Sequence, residues 1–215
     1  MGIEKGILDY SFLGENADSL ITLISALSGA IVGGLFTLLV GNRQAKIAEK
    51  NKEKELLEIQ RSVLKGIRGE MSILLELYDK RMKKHVEAIV PGEMLLVTFP
   101  IGDDNFTFYE ENAKEIAKLS DDSRDSIIEI YTYARSLIQS YKGNNKLISE
   151  YEHIFLLMAE KTENEIYQKL YEAKRASLID CAQGIKLIDS EVREVKDKGF
   201  KVIDQEVSRI ESLIK

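Results

Sequence analysis

Arg61, Lys65 and Arg68 stand four and three residues apart, a spacing that puts all three side chains on one face of a helix. Arg81 and Lys84, flanked by Lys83 and His85, follow further along the same stretch. Such a face suits phosphate, because a guanidinium offers a planar fork of donors and an ammonium a compact point charge. Phe106, Phe108 and Tyr109 come shortly after and have the ring faces on which a base stacks. The chemistry these residues describe is capture of a nucleotide or oligonucleotide. The competing reading is a solvated face, or one neutralised by some of the 36 acidic residues of the chain.

Other site chemistry is sparse. His85 and His153 have no HxxxH or HExxH spacing, so no metal is expected. The one cysteine, Cys181, excludes an internal disulfide and a CxxC site. No Walker loop, GxGxxG or GxSxG occurs. The adjacent acids Asp103-Asp104 and Asp121-Asp122 read as a turn and as compensation of a helix dipole. With no nucleophile paired to a base, the chain is expected not to be an enzyme and to need no cofactor.

A second set of residues concerns assembly. Ser25, Gly29, Gly33, Thr37 and Gly41 recur at every fourth position within an uncharged run from Leu20 to Gly41. In lipid, helices gain little from hydrophobicity when they meet, so association depends on close backbone approach and polar contacts. A line of small side chains provides both. The alternative is the ordinary enrichment of glycine in membrane spans. A pore built from this segment would be lined by Thr22, Ser25, Gly29 and Thr37, with Ser28 beside them, and narrowed by Phe36 or Val32.

The element carrying that line is 22 residues long, roughly 33 Å as a helix and enough for a hydrocarbon core of about 30 Å. It reads as a transmembrane helix. A cleaved signal peptide fits poorly, because Glu4, Asp9, Glu15 and Asp18 precede it and no small-residue cleavage site follows. Arg43, Lys46, Lys50, Lys52, Lys54 and Arg61 follow the span, whereas only Lys5 precedes it. The excess of cations places the C-terminal side in the cytoplasm and the short N-terminus outside. The net charge of −6 argues against a protein that coats nucleic acid over its whole surface, though not against a local basic pocket.

Beyond the membrane the pattern is helical nearly throughout. Leu56, Val63, Ile67, Met71, Leu74, Tyr78 and Met82 recur at three, four or seven, predicting an amphipathic helix to about Ile89, stopped by Pro91-Gly92. The stretch from Glu93 to Asn112 lacks a helical period and reads as a small hairpin or an ordered loop. A short helix around Glu110 to Leu119 precedes Ser120, an N-cap for a helix carrying Ile127, Ile130, Tyr131, Ala134, Leu137, Ile138 and Tyr141. Gly143, followed by Asn144-Asn145, is expected to end that helix. The last seventy or so residues read as one or two long helices. There Ile185, Ile188, Val192, Val195, Gly199 and Val202 form a coiled-coil seam that slips in phase to Ile203, Val207, Ile210 and Ile214, with bends at Gly184 and Gly199. The expected fold is all-α: an extracytoplasmic N-terminus over 1–18, a transmembrane helix over 19–41, a charged stalk and amphipathic helix over 42–90, and a cytosolic helical domain with a C-terminal coiled coil over 91–215.

Within "FTFYEENAKEIAKLSDDSRDSIIEIYTYARSLI", the positions Tyr109, Asn112, Ala113, Ile116, Leu119, Ile127 and Tyr131 match a stretch common in a group of prokaryotic single-pass membrane proteins. In this stretch, and in the order of a glycine-rich span followed by a charged helix, the chain resembles the membrane effectors of anti-phage defence. The channel-forming effector of the Hailong system is among them. The resemblance implies a homo-oligomer, a tetramer by preference, in the inner membrane. It implies a ligand-gated ion channel controlled by an oligonucleotide or cyclic nucleotide from a partner nucleotidyltransferase. It fixes no ligand residue. The rival expectation is a membrane-anchored scaffold or exclusion protein that binds another protein and forms no pore.

Overall fold

The computed structural model describes residues 11–102, 106–160 and 164–214, and at 11–20, 24 and 32 the backbone alone. Asp103-Asp104, the segment before Ser11 and the Val32 side chain lie outside the described residues. The described chain is all-helical: α1 covers Ser11–Glu87, α2 Thr107–Glu111, α3 Ala113–Ile116, α4 Asp121–Glu160 and α5 Glu165–Ile214. It divides into two compact units, one ending at Glu55 and the other beginning at Leu56.

The first unit contains the apolar part of α1, which is long and apolar enough to cross a membrane. Leu35, Phe36, Leu38 and Leu39 are all exposed there. The Thr37 hydroxyl donates to the Gly33 carbonyl at 2.8 Å, so this polar group is satisfied within its own helix.

The second unit is a helical bundle. Val63, Leu64, Ile67, Met71, Tyr78, Met82 and Val86 of α1 are buried, each contributing about 1.5–3 kcal/mol if fully removed from water. Of the face read from the sequence, Leu74 is half-buried and Leu56 is exposed. Past the end of α1, the Val90 carbonyl accepts from Glu93 N–H at 3.2 Å. Pro91 occupies the second position of this turn and Gly92 the third, at φ 85°, the left-handed geometry that a type II turn requires. Carbonyls just past the helix end are held by α5: Lys186 donates to Ile89 O at 2.6 Å and Gln183 to Val90 O at 3.1 Å.

Side-chain pairs give the packing register. Glu150 meets Lys174 and Ile130 meets Gly199, so α4 and α5 run antiparallel. Lys65 meets Glu211 and Asp79 meets Arg193, so α1 and α5 are antiparallel too, while Glu70 with Tyr131 and Tyr78 with Tyr141 make α1 and α4 parallel.

One sequence expectation is corrected: Gly143 does not end α4, which continues to Glu160. The neighbouring amides serve the loop instead. Asn144 donates to Leu95 O at 3.0 Å, while Asn145 accepts from Phe99 N–H at 3.1 Å and donates to Phe99 O at 2.8 Å. Ile148 and Ile154 keep the apolar face buried beyond this point. Of the two readings of the stretch after α1, the ordered loop is the one found: no strand occurs among the described residues, and the loop is held by these amides. Gly199 is a close-approach position, since a Cβ there would lie 2.3 Å from Ile130 Cδ1. At the start of α4 the expected cap residue is in place: Ser120 O accepts from Arg124 N–H at 2.9 Å and its hydroxyl donates to Ser123 Oγ at 3.0 Å. The short helix before it is split in two at Asn112.

Candidate functional site

Arg61, Lys65, Arg68, Arg81 and Lys84 all lie on α1, but they do different things. Lys65 donates to Glu211 at 2.6 Å. Arg68 forms a two-pronged pair with Asp204, at 2.6 and 3.1 Å, and lies over the Phe200 ring at 4.7 Å from its centroid. Both cations thus tie α1 to the last turns of α5. Among the described residues Arg61, Arg81 and Lys84 make no ion pair; Arg61 is half-buried, Arg81 and Lys84 exposed. Beside Arg68 a shallow surface includes Lys196, Lys201 and Ser208, mixed with Asp197 and Asp204.

The aromatic residues read as base-stacking platforms are core residues instead. Phe106 is buried edge-to-face on Tyr131 at 5.1 Å, and Tyr109 stacks on the same ring at 4.0 Å. The Phe108 ring lies directly against Gly66, where a Cβ would be 2.1 Å from it. What organises them is Glu70, which the sequence reading missed. Its carboxylate accepts from Phe108 N–H at 2.8 Å, Tyr109 N–H at 3.2 Å and the Tyr131 hydroxyl at 2.6 Å. Glu70 therefore pins the start of α2 onto α1. Arg135 adds an ion pair to Glu110 at 2.7 Å and lies over Phe106 and Tyr109.

A second polar cluster joins α1, α4 and α5. The Tyr78 hydroxyl donates to Asp189 at 2.8 Å and is 3.3 Å from the Tyr141 hydroxyl. Arg193 grips the same carboxylate at 3.0 and 3.1 Å and reaches Asp79 at 2.8 Å. Burial raises the Tyr78 hydroxyl well above its ordinary pKa, with Tyr141 and Asp189 adding to the effect. Burial likewise pushes Tyr141 up to about 12. Its carboxylate partners hold Arg193 protonated. These groups are saturated by one another and serve the fold.

Next to this cluster α1, the loop and α4 enclose an apolar cavity of about 220 Å³. Leu74, Phe99, Leu137 and Ile138 form walls, Tyr78 and Tyr141 contribute ring faces, and the Arg81 side chain stands among the lining residues. Of the cations read from the sequence as ligand contacts, Arg81 alone lines this cavity.

In the apolar part of α1, Thr22, Ser25, Gly29, Gly33, Phe36 and Thr37 are exposed in the single chain. A Cβ built at Gly29, Gly33, Gly34 or Gly41 meets nothing within 4 Å. Nothing in the described chain covers the line of small residues. No protein-family model matches this chain, and neither a curated protein nor a solved structure was found to be similar to it.

Proposed function

We propose that this protein is a homo-oligomeric, single-pass membrane effector, with its N-terminus outside and its helical bundle in the cytoplasm, that conducts ions under control of a nucleotide or oligonucleotide bound by the bundle. One observation carries the reading. The helix with the apolar stretch, α1, is also the helix that supplies the anchors Val63 to Val86 and the cations Arg61, Lys65 and Arg68. A ligand that shifts α1 within the bundle acts on the element that enters the membrane. Lys65 and Arg68 hold α5 acids, so a phosphate ligand at this face would act by competing with Asp204 and Glu211 for them.

The test is ion flux from liposomes reconstituted with the full chain. The expected outcome is a conductance that disappears or appears on adding a short oligonucleotide, and that is absent from protein-free liposomes. Orientation is read in spheroplasts of a Cys181→Ser background: a cysteine at Ser11 should react with an impermeant thiol reagent, and one at Ser136 should not.

The scaffold reading has its own supporting observation. Phe155, Leu156, Ile166 and Leu170 are exposed apolar side chains near the α4–α5 connection, more than a few scattered surface residues. An intact oligomer that never conducts, whatever nucleotide is present, would favour a membrane-anchored binder of another protein.

A further inference from the structure

We infer that Arg43, Lys46 and Lys50, just past the apolar stretch of α1, dock the headgroup of an anionic phospholipid, a phosphodiester with no compensating amine. The inference rests on the reading of that stretch as a membrane span. It goes further by naming a lipid partner and the helix face that holds it.

Three observations select this partner. The first is depth. Arg43 and Lys46 are the only charged residues between Gly41 and Glu49, and they stand about 3 and 8 Å past Gly41 along the helix axis. The headgroup layer is about 5–8 Å thick on each side of the hydrocarbon, so both side chains reach its phosphates. Lys50, about 14 Å past Gly41, lies within a Debye length of that surface. The first acid, Glu49, comes about 12 Å past Gly41, above the phosphates. The second observation is availability. All three cations are exposed. Unlike Lys65 and Arg68, they make no ion pair among the described residues. The third is direction. At about 100° per residue, the three fall within about 60° of one another on one side of α1. Thr37 and Gly41, the last of the small residues, lie across the helix from them. Packing through the small residues therefore turns the basic stripe outward, towards lipid. A soluble anion meets the same cations in open water with no enclosed site, whereas a lipid anion is already held at that depth by its tail.

The experiment is electron spin resonance on the full chain reconstituted into phosphatidylcholine liposomes. The liposomes carry a trace of phosphatidylglycerol or of phosphatidylcholine, each spin-labelled on an acyl chain. The motionally restricted part of the signal reports lipid held beside the protein. Phosphatidylglycerol should be preferred by about fivefold, the contribution of roughly one basic side chain at the surface. The preference should shrink in about 1 M salt, where the screening length falls to about 3 Å; this is read on the parent chain, so the test does not depend on any variant folding. Replacing all three residues (Arg43→Gln, Lys46→Gln, Lys50→Gln) should abolish the preference. Removing the same charge at exposed positions elsewhere, with Lys114→Gln, Lys169→Gln and Arg175→Gln, should leave it intact. Equal restriction of the two lipids by the parent chain would overturn the proposal, and so would a preference that survives the first triple variant. Loss of the preference on adding excess glycerol phosphate would overturn it too, since the site would then belong to a soluble anion. Each of these outcomes leaves the span standing. A chain that alkaline carbonate strips from the liposomes would instead remove the span, and this proposal with it.

Discussion

At the scale of single residues, the bundle keeps its buried tyrosines and Asp189 in closed sets, while Asn144 Oδ1 is buried without a partner among the described residues. Asp189 is buried, yet three donors surround it, the Tyr78 hydroxyl and two nitrogens of Arg193, so its oxygens are paired rather than stranded. The phenols within these sets define how the protein responds to alkali. Burial raises Tyr78, Tyr131 and Tyr141, the last to about 12, whereas the unfolded chain releases the same protons near pH 10. The folded state therefore holds these protons more tightly. Their contribution to stability is complete below about pH 10 and is lost as pH rises through 12. A phenolate absorbance titration should show some of the nine tyrosines ionising near pH 10. The remainder should ionise in one step that coincides with loss of helical circular dichroism. Tyr141→Phe should make the alkaline loss of stability shallower. Ionisation of all the tyrosines near pH 10 with helicity intact would contradict the closed network.

At the scale of helices, α5 carries two glycines with opposite surroundings, and they should respond in opposite directions to larger side chains. Gly184 is exposed and a Cβ there meets nothing, so Gly184→Ala should raise stability by about 0.5–1 kcal/mol through helix propensity alone. Gly199 is buried against Ile130, and Gly199→Leu should lower stability by about 1–3 kcal/mol through overpacking. Denaturant unfolding of the two variants would distinguish this arrangement from one in which both glycines are simple bends, where neither substitution would show such asymmetry. The long helices were legible in the sequence because a buried face repeats every three or four residues over many turns: Val63, Ile67 and Met71 in α1, Ile127, Ile130 and Ala134 in α4, Ile185, Val192 and Val195 in α5. The end of α1 was legible because Pro91-Gly92 acts locally. The continuation of α4 past Gly143 was not, because what occupies Asn144 and Asn145 is backbone 49 and 46 residues away. The same limit hid the fate of the basic face. Arg68 reads as free until Asp204, 136 residues later, is brought beside it. Glu70 had no signal at all, since a lone glutamate on a helix looks the same whether it faces water or pins the backbone of another helix.

At the scale of the whole molecule, one uncovered surface among the described residues is the line of small residues in the apolar part of α1. Soluble bundles bury a glycine face against a neighbour, as Gly199 and Gly66 do here. Among the described residues a Cβ at Gly29 or Gly33 would meet nothing within 4 Å, and Leu35, Phe36, Leu38 and Leu39 are exposed too. In a bilayer the bulky residues are satisfied by lipid, but a smooth glycine surface gains contact area only when another helix backbone comes close. A second copy of this chain presents the same line, and this is the self-association proposed above. Gly29→Ile and Gly33→Ile would each put a branched side chain into that approach and should shift the detergent-solubilised protein to smaller species in light scattering. Leu35→Phe and Leu38→Phe add bulk that would face lipid, and should leave the mass unchanged. The paired design separates loss of the contact from a general effect of bulk in the span. Glycine variants that keep the parental mass would leave the line of small residues without a role in assembly and move the proposed contact to the C-terminal coiled-coil seam of α5.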